Sequence, residues 1–281
     1  MKMPRRGSMA VLTLAIAGVV LAAAAGGCAS LRADCQKSGA FDFCVTRAER
    51  SEVRAPVLYY FHGGGGDARE WAESGLGRSA RAAMQSLGQH FHVVGVSLGA
   101  YRLYREDEEA MLFVRVMAEA EFALGDRWDG RRFIAGVSMG GFTALSIYLR
   151  HPGKFEAAAA SSPTLFAFDP TMPGEMDAFV RRNRVAASHA GVLKARFGGH
   201  FPSTATWRQF DPIRLVESAP ANARVYISSG TNDRVGLFEG ASAFVRRARE
   251  RGIRVEFDAQ AGAGHGRVDS ERVVKFFSAA R

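Results

Sequence analysis

Gly136-Val137-Ser138-Met139-Gly140-Gly141, preceded by the apolar run Arg132 to Val137 and followed by Phe142 to Arg150, decides the reading of this chain. The first flank predicts a short strand, and the second predicts a helix rich in Ala, Leu and Tyr. A serine between glycines at a strand-to-helix junction has the pattern of a nucleophile elbow, which holds a hydroxyl up at the end of a sheet. Its small neighbours let the backbone turn without collision. Met139 then opens a helix, so its backbone N–H points towards the place where an oxyanion would form.

A second stretch, Tyr59-Tyr60-Phe61-His62-Gly63-Gly64-Gly65-Gly66, lies upstream. The apolar run from Pro56 predicts a buried strand, and four glycines then leave the backbone bare. A glycine loop can cradle phosphate, but no G-x-x-x-x-G-K-[ST] pattern is present. The remaining chemistry for such bare N–H groups is the other half of an oxyanion hole. A flexible turn is the bland alternative, and the elbow downstream weighs against it.

Strand patterns recur at Phe41 to Arg47, His90 to Ser97, Phe155 to Ser161, Ala223 to Ser228 and Arg254 to Ala259. Helical patterns alternate with them over Ala68 to Leu87, Glu106 to Leu124, Leu237 to Arg251 and Asp269 to Ala280. That alternation predicts an α/β domain over residues 41–281, with a mostly parallel sheet covered on both sides. The 281 residues, 47% of them hydrophobic, suffice for one such core. The pattern breaks at about 163–222, where Phe166, Phe168, Phe201, Trp207 and Phe210 surround a helix expected within Met176 to Phe197. A long insertion rich in aromatics reads as a cap beside the site, or else as a packed surface excursion.

A serine nucleophile needs a base, and the base needs an orienting carboxylate. Among the histidines, His265 alone follows the last expected strand, in the small-residue loop Ala261-Gly262-Ala263-Gly264-His265-Gly266. His151 ends the elbow helix and reads as a capping residue, His200 falls in the insertion, and His62 belongs to the glycine loop. Asp233, in Gly230-Thr231-Asn232-Asp233 directly after a strand, leads as the carboxylate. Asp211 precedes a proline and reads as a turn or cap residue, and Asp258 lies within a strand. With no H-E-x-x-H and no paired C-x-x-C, neither metal nor cofactor is expected.

Residues 1–28 have the layout of an export signal. Lys2, Arg5 and Arg6 precede an apolar stretch from Met9 to Ala25, which ends in Ala25-Gly26-Gly27-Cys28. This ending resembles a bacterial lipobox, with Ala25 where leucine is preferred, so lipid on Cys28 and a tether over 29–40 are expected. Ordinary signal cleavage nearby and an uncleaved anchor helix are the rivals, and the short, alanine-rich stretch disfavours the helix. Export permits a disulfide between the two remaining cysteines, Cys35 and Cys44. The formal charge of +9, carried by 32 Arg and 5 Lys, has no aromatic-interleaved basic face with it, so nucleic-acid binding is not expected.

Together His62 to Gly66 with Trp71, Gly136 to Gly141, Gly230 to Asp233 and Gly264-His265 make the chain resemble the esterase family of α/β-hydrolases. That family groups esterase D, feruloyl and acetyl-xylan-type esterases, and bacterial mycolyltransferases. The resemblance covers about residues 41–280. It implies a Ser-His-Asp ester hydrolase acting on a small or polymeric ester, with the oxyanion donors on the N–H groups of Gly64 and Met139. It does not specify the substrate. An acyltransferase to a sugar or lipid alcohol is the first alternative, and a non-catalytic surface lipoprotein is the second.

Overall fold

Runs of Val, Ala, Tyr and Phe build most of the strands, and the glycine-rich junctions between strands and helices deliver the chemistry-bearing side chains. The computed structural model describes residues 33–50 and 53–280. The expected export signal, Cys28 and residues 29–32 lie outside them. Among the described residues eight strands form, β1 (Ala33–Ser38), β2 (Phe41–Thr46), β3 (Ala55–Phe61), β4 (His92–Ser97), β5 (Trp128–Val137), β6 (Ala157–Ser161), β7 (Arg224–Gly230) and β8 (Arg254–Gln260). They lie in one sheet in the order β1-β2-β4-β3-β5-β6-β7-β8. β1 and β2 run antiparallel, and every pairing among β3 to β8 is parallel.

β3, β4 and β6 are buried along their whole length, as strands with both faces covered must be. Alternate residues of β3 serve opposite cores. Val57, Tyr59 and Phe61 face one layer, and Leu58 and Tyr60 face the other. In chain order the helices are α1 (Glu70–Glu73), α2 (Gly75–Ser86), α3 (Glu106–Met111), α4 (Ala118–Leu124), α5 (Met139–Arg150), α6 (Glu175–Asn183), α7 (Ala187–Leu193), α8 (Thr204–Arg208), α9 (Pro212–Leu215), α10 (Phe238–Glu250) and α11 (Ser270–Ser278). α2 and α11 cover one face with Ala80, Met84, Phe276 and Phe277. α5 and α10 cover the other with Phe142, Leu145, Phe244 and Val245. Asp269 caps α11 by accepting from the Arg272 N–H at 3.1 Å. No helix among the described residues is long and apolar enough to cross a membrane.

The structure departs from the sequence expectations in three places. The tether expected over 29–40 contains a strand, because Ala33–Ser38 pairs with β2 along its full length and Cys35 is disulfide-bonded to Cys44. The helix expected over Ala68 to Leu87 is two, since Ser74 is extended and its hydroxyl caps α2 by accepting from the Gly77 N–H at 3.2 Å. The helix expected within Met176 to Phe197 is divided at Arg184, whose φ of 52° is left-handed and ends α6. The Glu106 to Leu124 helix is continuous, but it widens to π geometry over Leu112–Met117.

The insertion between β6 and β7 carries α6 to α9 around an aromatic core. Trp207 stacks on Phe142 of α5 with ring centroids 5.6 Å apart, and Phe166, Phe197 and Phe201 pack around the pair. This core ties the insertion to the elbow helix, so α7 lies over the carboxyl ends of the strands.

Candidate active site

Ser138 sits between β5 and α5 with φ 55° and ψ −117°, a conformation that L-residues rarely hold. The sharp turn is possible because Gly136 and Gly140 lack side chains. A Cβ on Gly140 would overlap the Phe61 and His62 carbonyls, and one on Gly136 would overlap the backbone of Gly140. Hydrogen bonds fix the turn on both sides: the Ser138 N–H donates to the Ser161 carbonyl at 3.0 Å, and the Thr164 N–H donates to the Ser138 carbonyl at 3.0 Å.

Two further loops converge from the carboxyl ends of β7 and β8. They dock backbone to backbone, because a Cβ on Gly230 would overlap the carbonyls of Ala263 and Gly264. The Asn232 N–H donates to the Ala263 carbonyl at 3.0 Å, and the Gly262 N–H donates to Thr231 Oγ1 at 2.9 Å. The Gly266 N–H donates to Ser162 Oγ at 3.0 Å, which holds the second loop against β6. The docking brings the three sequence-predicted side chains into one line. His265 Nε2 lies 2.9 Å from Ser138 Oγ, and His265 Nδ1 lies 2.8 Å from Asp233 Oδ2. The Asp233 side chain is fully buried, and its Oδ1 accepts from the Val235 N–H at 2.7 Å. The imidazole is 24% exposed and so reaches the cavity.

The alternatives are engaged elsewhere. Asp211 caps α9 by accepting from the Ile213 N–H at 3.0 Å, and burial pushes its carboxyl up to about 7. Asp258 Oδ2 accepts from the Tyr226 hydroxyl at 3.3 Å, and its Oδ1 accepts from Arg272 at 3.1 Å. His151 Nε2 lies 2.9 Å from Glu109 Oε2, and His200 packs on the Phe201 ring with burial holding its pKa down. His62 Nε2 lies 2.8 Å from Ser97 Oγ, and its Nδ1 lies 2.6 Å from the Gly63 carbonyl, so its ring braces the glycine loop.

Gly64 and Met139 are neighbours across the site. A Cβ on Gly64 would lie 3.2 Å from Met139 Sδ and 2.8 Å from the Tyr101 ring. Both line the same cavity of about 380 Å³ as Ser138 and His265. Several lining residues escaped the sequence reading, among them Tyr101, Glu70 and His189. Tyr101 has φ 55°, donates its N–H to the Gly64 carbonyl at 2.5 Å and lies over Gly64 and Gly65. Glu70 comes from α1 and His189 from α7. Only tertiary placement identifies them, since none belongs to a motif. Among the described residues no cluster of His, Cys, Asp and Glu could hold a metal ion.

Proteins of known structure share this fold. An S-formylglutathione hydrolase from Agrobacterium tumefaciens shares the fold with a TM-score of 0.60 at 18% identity, over 88% of this chain and 93% of that one. A ferulic acid esterase matches with 0.63 at 19% identity, over 88% and 94%. Carboxyl esterase 2 from the mycorrhizal fungus Tuber melanosporum matches with 0.62 at 16% identity, over 91% and 90%. At such identities these likenesses show the α/β-hydrolase fold alone. No curated protein matches the chain by sequence. The family model described as "Putative esterase" covers residues 47–270, a span that includes the serine elbow, the glycine loop and both docking loops. By that match the chain belongs to the esterase family of α/β-hydrolases.

Proposed function

We propose that this carboxylic ester hydrolase works through an acyl-enzyme, with Ser138 as nucleophile, His265 as general base and Asp233 as the group that orients the imidazole. The unbroken pair of hydrogen bonds from Ser138 Oγ through His265 to Asp233 carries the reading. His265 Nε2 takes the serine proton as Oγ attacks the ester carbonyl, then gives it to the leaving alcohol. Water, deprotonated by the same nitrogen, attacks the acyl-enzyme carbonyl and releases the acid. The N–H groups of Gly64 and Met139 stabilise the oxyanion in both steps. The insertion acts as a cap: Ser188, His189, Val192 and Leu193 of α7 form one side of the cavity.

The direct experiment is labelling with a fluorophosphonate probe. Ser138 should be the modified residue, and Ser138→Ala should be neither labelled nor active. A labelled, active Ser138→Ala protein would overturn the reading. Repeating the hydrolysis assay with added alcohols separates a hydrolase from an acyltransferase, which would convert the ester to a new ester faster than to the acid.

Export and anchoring belong to the same reading. They rest on Lys2, Arg5 and Arg6, the apolar stretch and Ala25-Gly26-Gly27-Cys28. The Cys35–Cys44 disulfide fits an oxidising compartment. Cys28→Ala should move the protein from the detergent phase to the soluble exported fraction. Unchanged partitioning would rule out lipid on Cys28. One acyl chain holds a protein only marginally, so stable anchoring needs more than one.

A further inference from the structure

The cavity beside Ser138 carries one fixed carboxylate that the mechanism does not use. Glu70, on α1, follows the four glycines and lines the cavity with them. Its Oε1 accepts from the Tyr60 hydroxyl. Tyr60 is buried on β3, and burial together with Glu70 keeps its hydroxyl protonated, so it remains a donor. The other oxygen, Oε2, occupies the space that a side chain on Gly66 would need. The carboxylate is thus fixed at one oxygen and set against the glycine loop at the other.

The rest of the lining offers it no counter-ion. Among the described residues no lysine or arginine lines the cavity, whose other ionisable side chains are Tyr101, His189 and His265. Val192, Leu193, Val235 and Leu237 supply apolar wall. The described lysines and arginines therefore lie outside the cavity. A charge in a confined, partly apolar space acts much more strongly than one on the surface.

We propose that Glu70 makes this cavity selective by charge, admitting uncharged and cationic esters and turning away esters that carry a carboxylate, sulfonate or phosphate. The inference rests on the reading of Ser138 as nucleophile. A negative group on either side of the scissile bond must share the cavity with the Glu70 carboxylate, at a like-charge cost. A positive group gains instead.

Two matched series test it at about 0.15 M ionic strength, where surface charge is screened beyond about 8 Å. One varies the alcohol: 3,3-dimethylbutyl acetate, acetylcholine and 2-acetoxyethanesulfonate. The other varies the acyl part: methyl benzoate and its 4-trimethylammonium and 4-carboxylate forms. Each kcat/KM is divided by that of the neutral member, and wild type is compared with Glu70→Gln, so intrinsic reactivity cancels. In at least one series the anionic ratio should rise about tenfold in Glu70→Gln, a change of about 1.4 kcal/mol, and the cationic ratio should fall. Tyr60→Phe, which keeps the charge, should retain the wild-type order. Ratios that agree within about threefold between wild type and Glu70→Gln in both series would overturn the proposal. If circular dichroism shows Glu70→Gln unfolded, wild type alone decides. The anionic member of one series must then inhibit at least about tenfold more weakly than its neutral partner, and equal inhibition in both series overturns the proposal. Hydrolysis retained by Ser138→Ala would instead sink the catalytic reading, leaving the two failures distinct.

Discussion

The two aspartates that competed for the orienting role differ in what surrounds them, and each makes its own prediction. Asp233 has one oxygen on His265 and the other on the Val235 N–H. Asp233→Asn presents an amide that favours the wrong imidazole tautomer, so turnover should fall on the order of 10⁴ while the fold stays intact. Ser138→Ala and His265→Ala should each abolish nearly all activity, and the double variant should be no worse, because the pair acts as a unit. Steady-state rates on one ester check all three. Near-wild-type turnover in Asp233→Asn, with a loss in Asp211→Asn, would reverse the assignment. Asp211 predicts a stability effect instead. Burial raises its carboxyl from 3.8 to about 7, so the folded chain holds that proton more tightly than the unfolded one. The stability this gives is complete below about pH 4 and is lost as the pH rises through about 7. Asn at 211 can still accept from the Ile213 N–H as a cap but has no proton to lose. Asp211→Asn should therefore gain on wild type between pH 5 and pH 8, by as much as about 2.6 kcal/mol. Urea denaturation at the two pH values checks this, and a difference independent of pH would contradict it.

Elements that bury an apolar run declare themselves in sequence, whereas elements fixed by their neighbours do not. Trp207 shows what holds the insertion: 2% exposed, it stacks on Phe142 of the elbow helix. Trp207→Ala should cost about 3–5 kcal/mol of stability by denaturant unfolding. Phe122→Ala, at a position 89% exposed, should cost less than about 0.5 kcal/mol. Equal losses for the two would mean that the aromatic core does not carry the insertion. The same contrast explains what was legible. β3 is an unbroken apolar run and β4 a valine-rich one, both buried on both faces, and their reading held to within two residues at each end. β1 reads Ala-Asp-Cys-Gln-Lys-Ser and is exposed through most of its length, so it has no apolar face to announce a strand. Its pairing with β2 and its disulfide make it one. Ser74 followed by Gly75 did carry a helix-start signal, which the longer helical pattern around it masked. Arg184 carried none, since a left-handed arginine is imposed by packing rather than by side-chain preference. At the site, Ser138, His265 and Asp233 could be singled out because each lies at a strand end among glycines or turn residues. Glu70, Tyr101 and His189 were not, because only the folded chain brings α1, the loop after β4 and α7 to one cavity.

Across the whole molecule, the order of strands separates what holds the sheet's edge from the proposed catalytic residues. Ser138, Asp233 and His265 follow β5, β7 and β8, while the Cys35–Cys44 disulfide lies in β1 and β2 at the other end of the sheet. β4 and β3 stand between the two regions, both fully buried and paired in parallel. Stability and activity should therefore respond differently to loss of the disulfide. The bridge joins residues nine apart, and a loop of that size restricts the unfolded chain by about 2–3 kcal/mol. The Cys35→Ser/Cys44→Ser double variant should be less stable by about that amount. Amide exchange should quicken in β1 before it does in β5 to β7, because β1 is an exposed edge paired on one side only and those strands are paired on both. At 25 °C, where the variant remains folded, its kcat on a simple ester should stay within about twofold of wild type. Denaturant melts, exchange by mass spectrometry and initial rates make the comparison on one preparation. A large fall in kcat with the fold retained would show that the edge and the site are coupled through the intervening strands, against the separation that the strand order implies.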